Sequence, residues 1–313
     1  LTRAAAFPVQ PDGLRHFPAP AKLNLMLHVV GRRPDGYHLL ETVFRFIDYS
    51  DTVGLATRED GRIVRLTDLP GVAETEDLSV RAARALQQAS GCRLGADIAL
   101  VKRIPQGGGL GGGSSDAATV LLALNDLWQI GLSRTELQDI GLALGADVPV
   151  FVFGQTAFAS GIGEELVAIE AEPAFYLVLV PPAQVPTRAV FQSPHLTRDS
   201  PAAKIAGFPH PDFRFSLAPG RNDLEPVVVA GYPEVGAHLS WLRQHAPAAM
   251  SGSGACVFGA FGTESEARAV LARRPAGMHG FVAAGLDRHP LHGLVAGAGA
   301  GAGADRRRKF LQS

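Results

Sequence analysis

The chain has 313 residues, 46% of them hydrophobic and 19% charged, with a net charge of −1. That length holds two ordinary domains with a sizeable core, and the near-neutral balance implies no general attraction to nucleic acid or to a membrane surface. Two cysteines, Cys92 and Cys256, cannot build a disulfide framework; with no apolar run of membrane-spanning length and no signal-peptide pattern, a soluble cytoplasmic protein is expected.

Residues 1–17 mix proline, alanine and single charges without period and read as a loose arm. A strand is expected from Pro18, with Leu23, Leu25 and Leu27 on one face and Lys22, Asn24 and Met26 on the other. Lys22 and Asn24 therefore point the same way, and on spacing alone a solvated face competes with a functional one. Residues 31–38 form a turn-rich loop ending in Tyr37 and His38, which either staple the loop or contact a ligand. Strands are expected over 41–55. A helix follows over 77–89, capped by Asp77, with Leu78, Ala82, Ala85 and Ala89 as its apolar stripe.

The next stretch is the most informative. Pro105-Gln106-Gly107-Gly108-Gly109-Leu110-Gly111-Gly112-Gly113-Ser114-Ser115 packs six glycines around one leucine. Glycine loses more backbone entropy on folding than any other residue, so six together require a close approach or unusual dihedrals. Upstream, Ile98, Leu100 and Ile104 alternate as in a strand. Downstream, Ala117, Leu121, Leu124 and Trp128 fall at helical spacing, with Ser114 or Ser115 placed to cap. A glycine loop entering a helix N-terminus presents free N–H groups and the positive dipole end, which is a phosphate site. No lysine precedes Ser114, so it is not a P-loop. Gly107, Gly109 and Gly112 meet the dinucleotide spacing, but a second helix follows at the capping box Ser133-Arg134-Thr135-Glu136 where a Rossmann unit needs a strand.

That second helix is expected to stop at Gly145, leaving Asp147 at a junction before an apolar run, 148–153, read as extended. Composition shifts near 160–163, and the domain boundary is placed within 155–170. Beyond it a strand (175–180), a helical turn opening at Thr187, a proline-rich loop (193–220), a helix (233–245), a second Gly/Ser loop (250–258) running into a strand (255–261), a helix (264–273) and a strand (281–285) suggest a small ferredoxin-like α+β sandwich. The alternating Ala/Gly stretch and basic run after 293 read as a solvated tail.

Together these motifs resemble the GHMP kinase superfamily over roughly residues 18–292. The carriers are Pro-Ala-Lys-Leu-Asn-Leu at 20–25, Asp-Gly-Tyr-His at 35–38, the loop at 105–115, Leu-Gly-Ala-Asp-Val-Pro-Val-Phe at 144–151 and the segment 251–256. The resemblance implies a two-domain α+β fold: an N-terminal unit (18–163) like ribosomal protein S5 domain 2, and a ferredoxin-like C-terminal unit (164–292). The Tyr-His pair and the full Gly-Ala-Asp-Val-Pro string are similar to the branch that phosphorylates a cytidine diphosphate-linked alcohol in isoprenoid precursor synthesis. It implies Lys22 and Asp147 as catalytic residues and the whole loop 105–115, with Lys102, as the ATP triphosphate site. Asp77 stands at the adenine-side position, where the family often has Asn. Mg²⁺ is implied with ATP, Ser114 or Ser115 offering a hydroxyl. His38 is placed on the cytosine edge, Tyr37 and Phe191 on its faces, Asn24 near the reacting end and Thr187 on the diphosphate side. A monomer or homodimer without nucleic-acid or membrane partners is expected. Another GHMP kinase, a nucleotide sensor and a nucleic-acid module are the alternatives; Lys22 and Asp147 together speak against the sensor and the net charge against nucleic acid.

Overall fold

Two long strands carry the architecture. β1 (Arg15–Arg32) and β2 (His38–Arg58) pair antiparallel, with register shifts at Pro20/Ala21, Asn24/Met26 and Val29/Gly31. The computed structural model describes residues 6–202, 214–216 and 218–295, so the Ala/Gly and basic tail from 296 onward and most of the loop beyond 202 lie outside the described residues. β1 starts three residues earlier than expected. Its prolines Pro18 and Pro20 are tolerated because, among the described residues, β2 is its one neighbour in the sheet, leaving the missing N–H groups without a ladder to break.

The elements then run β3 (Ile63–Arg65), α1 (Leu78–Ser90), β4 (Gly95–Val101), α2 (Gly112–Leu127), α3 (Arg134–Leu144), α4 (Val148–Phe153), β5 (Ala157–Ser160), β6 (Glu165–Ala168), β7 (Glu170–Ala171), β8 (Phe175–Val180), α5 (Thr187–Gln192), β9 (Arg214–Phe215), α6 (Glu225–Gly231), α7 (Pro233–Leu242), β10 (Ala248–Met250), β11 (Val257–Phe261), α8 (Glu264–Ala272) and β12 (His279–Leu286). β2 is the trunk. Its Thr52–Arg58 end pairs β4, its Thr42–Phe44 stretch pairs β5, and Phe46 and Ile47 pair Leu286 and Gly285 of β12. One sheet thus continues β10-β11-β8-β12-β2-β4-β3 through both halves of the chain.

Helix α2 is the buried spine of the first half. Every residue from Ser115 to Asn125 is buried, so its apolar signal wraps the helix rather than forming one stripe. In α1 the buried positions are Ser79, Val80, Ala82, Ala83 and Leu86; the expected stripe was turned too far, and Ala89 is exposed. In the second half α6, α7 and α8 cover one face of β8 and β11 through Val228, Leu239 and Val270, while Tyr176, Val178 and Phe258 face β1 and the glycine loop. Strand β8 is buried on both faces, which is why it reads as a continuous apolar run.

Two local expectations are corrected. Residues 148–153 are helical, with Pro149 in the first turn and Gly154 left-handed at the C-cap; a short apolar run does not distinguish strand from helix, but proline early and glycine after the end do. The N-cap of α2 is Gly111 at φ 75°, and neither Ser114 nor Ser115 caps it.

Candidate active site

The glycine loop is held by both halves of the molecule. A Cβ on Gly109 would lie 2.1 Å from Ser251 O, and one on Gly108 would lie 2.6 Å from Cys256 Sγ. Cys256 N donates to Gly108 O (3.1 Å), Ser251 Oγ to Gly109 O (3.0 Å) and Lys22 N to Leu110 O (2.9 Å). Burial pushes the Cys256 thiol up to about 12, leaving it a packing group. Gly111 is constrained from the other side, its added Cβ meeting the Phe151 ring at 2.9 Å. A Cβ on Gly112 would meet Ile104 Cγ2 at 3.2 Å, so four of the six glycines answer to protein neighbours. Gly107 and Gly113 do not: among the described residues nothing lies within 4 Å of a Cβ on Gly107, and Leu78 Cδ1 stands 3.7 Å from one on Gly113.

Helices α3 and α8 begin with complete capping boxes, whereas no side chain caps α2. The first N–H it uses internally is that of Ser115, which bonds Gly111 O. The N–H groups of Gly112, Gly113 and Ser114 precede that bond and stand at the positive end of the helix dipole.

Lys22 and Asn24 are not on a solvated face; they are 2% and 3% exposed. Lys22 Nζ donates to Asn24 Oδ1 at 2.6 Å and pairs with Asp147 Oδ2 at 3.3 Å. Asn24 Nδ2 donates to Thr42 Oγ1 (2.8 Å), which donates onward to Met26 O (2.5 Å). That relay turns the amide oxygen toward the lysine. The ammonium also lies 5.3 Å from the centre of the Phe44 ring. Asp147, at the start of α4, keeps its carboxylate 38% exposed to the cleft.

The cleft has a volume of about 880 Å³, and its wall includes Lys22, Asn24, Asp147, Gly107, Gly109 and Ser114 at one end and Tyr37, His38, Thr187 and Phe191 along the other. Tyr37 is 61% exposed. His38 stacks on Phe191 with ring centres 5.1 Å apart, and Thr187 Oγ1 meets Ser253 Oγ at 2.7 Å. Burial, followed by the positive charges of Arg198 and Arg32, lowers the His38 pKa, so the ring is neutral near pH 7.

Other expected residues sit off this wall. The Lys102 ammonium is held between the carboxylates of Asp51 and Asp116; burial opposes its charge, but the two acids outweigh burial and raise its pKa. Asp77 caps α1 through Ser79 N and pairs with Arg65 at 3.2 Å, so its carboxylate is engaged locally. Ser115 is fully buried and donates to Pro20 O at 2.7 Å, which leaves Ser114 as the serine facing the cleft. Of the loop, Gly107, Gly109 and Ser114 line the cavity, whereas Pro105, Gln106, Gly108, Leu110, Gly111, Gly112 and Gly113 do not, so the first turn of α2 reaches the cleft through Ser114. Residue reasoning missed Thr42 and Arg198, which act through contacts far apart in the chain, whereas Ser251 and Ser253 lay in the second Gly/Ser loop.

Residues 77–155 match the GHMP kinases N terminal domain and residues 213–279 the GHMP kinases C terminal domain. Over 279 residues the chain is 63% identical to a 4-diphosphocytidyl-2-C-methyl-D-erythritol kinase of Thiobacillus denitrificans, covering 89% of this chain and 98% of that protein. A kinase of the same description from Nitrosospira multiformis is 60% identical, over 88% and 92% of the two chains. A crystal structure of 4-(cytidine 5'-diphospho)-2C-methyl-D-erythritol kinase superposes with a TM-score of 0.74 at 33% identity, over 86% of this chain and 98% of that one. A mevalonate kinase structure, 13% identical with a TM-score of 0.59, shares the fold over 87% and 99%.

Proposed function

The chain belongs to the GHMP kinases and, within them, to the 4-diphosphocytidyl-2-C-methyl-D-erythritol kinase family, and from that premise we propose how its cleft carries out the reaction. The enzyme transfers the γ-phosphoryl group of ATP to the 2-hydroxyl of 4-diphosphocytidyl-2-C-methyl-D-erythritol, giving the 2-phosphate and ADP, in non-mevalonate isoprenoid precursor synthesis. The observation that carries the mechanism is the Lys22–Asp147 pair, 3.3 Å apart, in the same cleft as Ser114 of the first turn of α2.

In this reading the triphosphate lies on the N–H groups of Gly112, Gly113 and Ser114, and the alcohol enters beside Asp147. The alcohol oxygen attacks the γ-phosphorus, its proton passes to the Asp147 carboxylate, and the bond to the β-phosphate oxygen breaks with its electrons leaving on ADP. Lys22, held by Asn24, meets the negative charge that spreads over the transferring oxygens. Positioning is the larger part of such a transfer, and a relay that fixes the ammonium supplies it.

Mg²⁺ is part of the proposal. Among the described residues no cluster of three or more His, Cys, Asp or Glu forms a metal cage. The Ser114 hydroxyl, on the cleft wall, is the kind of oxygen donor Mg²⁺ takes alongside phosphates and water. When bound, the ion would neutralise phosphate charge.

At the far end, Tyr37 and Phe191 would hold the cytosine ring by stacking and His38 would read its edge, with Thr187 toward the diphosphate. Residues 18–163 and 164–292 serve as the two units that close the cleft. No helix among the described residues is long and apolar enough to cross a membrane, and the proposal sets the enzyme in the cytoplasm, where its nucleotides are made. The test is direct: the purified protein with ATP, Mg²⁺ and the cytidyl substrate, followed by phosphorus NMR. A new phosphomonoester and stoichiometric ADP support the reading. No turnover of this substrate, with turnover of mevalonate or homoserine, replaces it by another GHMP activity.

A further inference from the structure

Resting on that reading, the geometry points to Arg198 as the residue that makes His38 selective, by fixing which of its ring nitrogens carries the proton. Arg198 Nε lies 3.2 Å from His38 Nε2 and donates to it. A guanidinium has donors only and does not deprotonate in proteins, so the nitrogen it faces must be bare. A neutral imidazole carries one proton, and that proton is therefore on Nδ1.

The rest of the guanidinium is anchored. Nη1 donates to Leu196 O (3.0 Å), and Nη2 donates to Phe191 O (3.0 Å) and Ser193 O (2.6 Å). One side chain thus binds the backbone beneath the Phe191 ring and the imidazole stacked on that ring. Its position is set by three carbonyls, so it cannot swing aside to accommodate the other tautomer. Arg32 adds a second positive charge on the β1 side, and both cations disfavour the doubly protonated ring.

The consequence is a choice between bases. Cytosine presents a bare ring nitrogen where uracil presents an N–H. A free histidine meets either by exchanging tautomers, giving Nδ1–H to the first and bare Nδ1 to the second. With Nε2 pinned by Arg198 the exchange would set two N–H groups against each other, so His38 offers a donor alone. Cytosine is accepted, and uracil leaves a donor facing a donor. Arg198 touches no substrate atom in this scheme; it is a positioning residue.

Two measurements test it. Nitrogen NMR of histidine-labelled wild type reads the tautomer without substrate: Nδ1 protonated and Nε2 bare are expected at pH 7.5, and protonation of Nε2 overturns the inference whatever any variant does. In Arg198→Met, the population should move toward the Nε2–H form that imidazole favours in water. The ratio of kcat/KM for the cytidine over the uridine substrate should fall about 10- to 100-fold, the range for one buried mismatched donor. Arg198→Lys, which keeps the charge but loses the planar fork, should fall between. A loss of mere structural support would lower both substrates together, and an unchanged ratio in a folded variant overturns the inference. If the wild type does not phosphorylate the cytidine substrate, the functional reading falls and this inference with it. The tautomer separates the two failures, since it is read without turnover.

Discussion

Gly109 and Gly113 sit four residues apart in one loop, yet valine at each should do opposite things. At Gly109 the backbone is left-handed, φ 75°, and the added Cβ would lie 2.1 Å from Ser251 O, a backbone atom that cannot yield. The conformation costs about 1–2 kcal/mol for a residue with a Cβ, and forcing atoms into a packed site costs about 1–3 kcal/mol more. Together these take about 2–5 kcal/mol from a stability typically of about 5–15 kcal/mol, a fall in Tm of roughly 3–8 °C. Gly113 lies in the first turn of α2 with Leu78 Cδ1 its nearest neighbour at 3.7 Å. Valine is no worse a helix former than glycine, so the fold should hold within about 0.5 kcal/mol. If the triphosphate lies over this turn, the new side chain pushes it off backbone N–H donors worth about 1.5–3 kcal/mol each to a charged acceptor. Affinity for a non-hydrolysable ATP analogue should then fall about 10- to 100-fold. Thermal unfolding without nucleotide and calorimetric titration separate the two variants. A Gly113→Val protein that is stable and binds the analogue as the wild type does would refute the cradle.

Other perturbations follow from neighbouring contacts. Asn24→Ala frees Lys22 from its 2.6 Å tether and should lower kcat by about 10-fold or more while leaving ATP affinity unchanged by calorimetry. Phe191→Ala removes a stacking surface of about 1–3 kcal/mol and should raise KM for cytidine and uridine substrates alike. Burial pushes Asp116 up to about 7 from 3.8, and among the described residues its Oδ1 has no hydrogen-bond partner. Below about 7 the folded state therefore holds a proton on Asp116 that the unfolded chain loses near 3.8, leaving Asp51 as the charged partner of Lys102 there, and stability from this group falls as pH rises toward 7. Asp116→Asn lacks that loss, so its Tm minus that of the wild type should increase from pH 4 to pH 7; a constant difference would contradict the assignment.

The glycine loop could be read from the chain because six glycines between a strand and a helix demand a cause, and the uncapped start of α2 is consistent with a phosphate site. The particular causes were not legible. Gly108 and Gly109 owe their lack of a side chain to Ser251 and Cys256, some 140 positions away, a contact no local pattern contains. Lys22 and Asn24 could be placed on one side of a strand by alternation, but not as buried, since Asp147, Thr42, Phe44 and the Ser251–Gly252 turn close around them from distant parts of the chain. Asp147 was legible as a junction carboxylate; the helix after it was not, because six apolar residues fit either period. Lys102 illustrates the remaining gap: its acidic partners Asp51 and Asp116 come from different elements and engage the charge that its place before the loop suggested for ATP. Arg198 left no local signal at all.

The central claim is that Lys22 and Asp147 carry the transfer, and Asp147→Asn tests it most directly because it keeps the shape and removes the proton acceptor. Measured with saturating ATP, Mg²⁺ and the cytidyl substrate, kcat should fall by about 10²-fold or more, with calorimetric ATP affinity and Tm close to those of the wild type. Turnover near the wild-type rate in this variant would contradict the account.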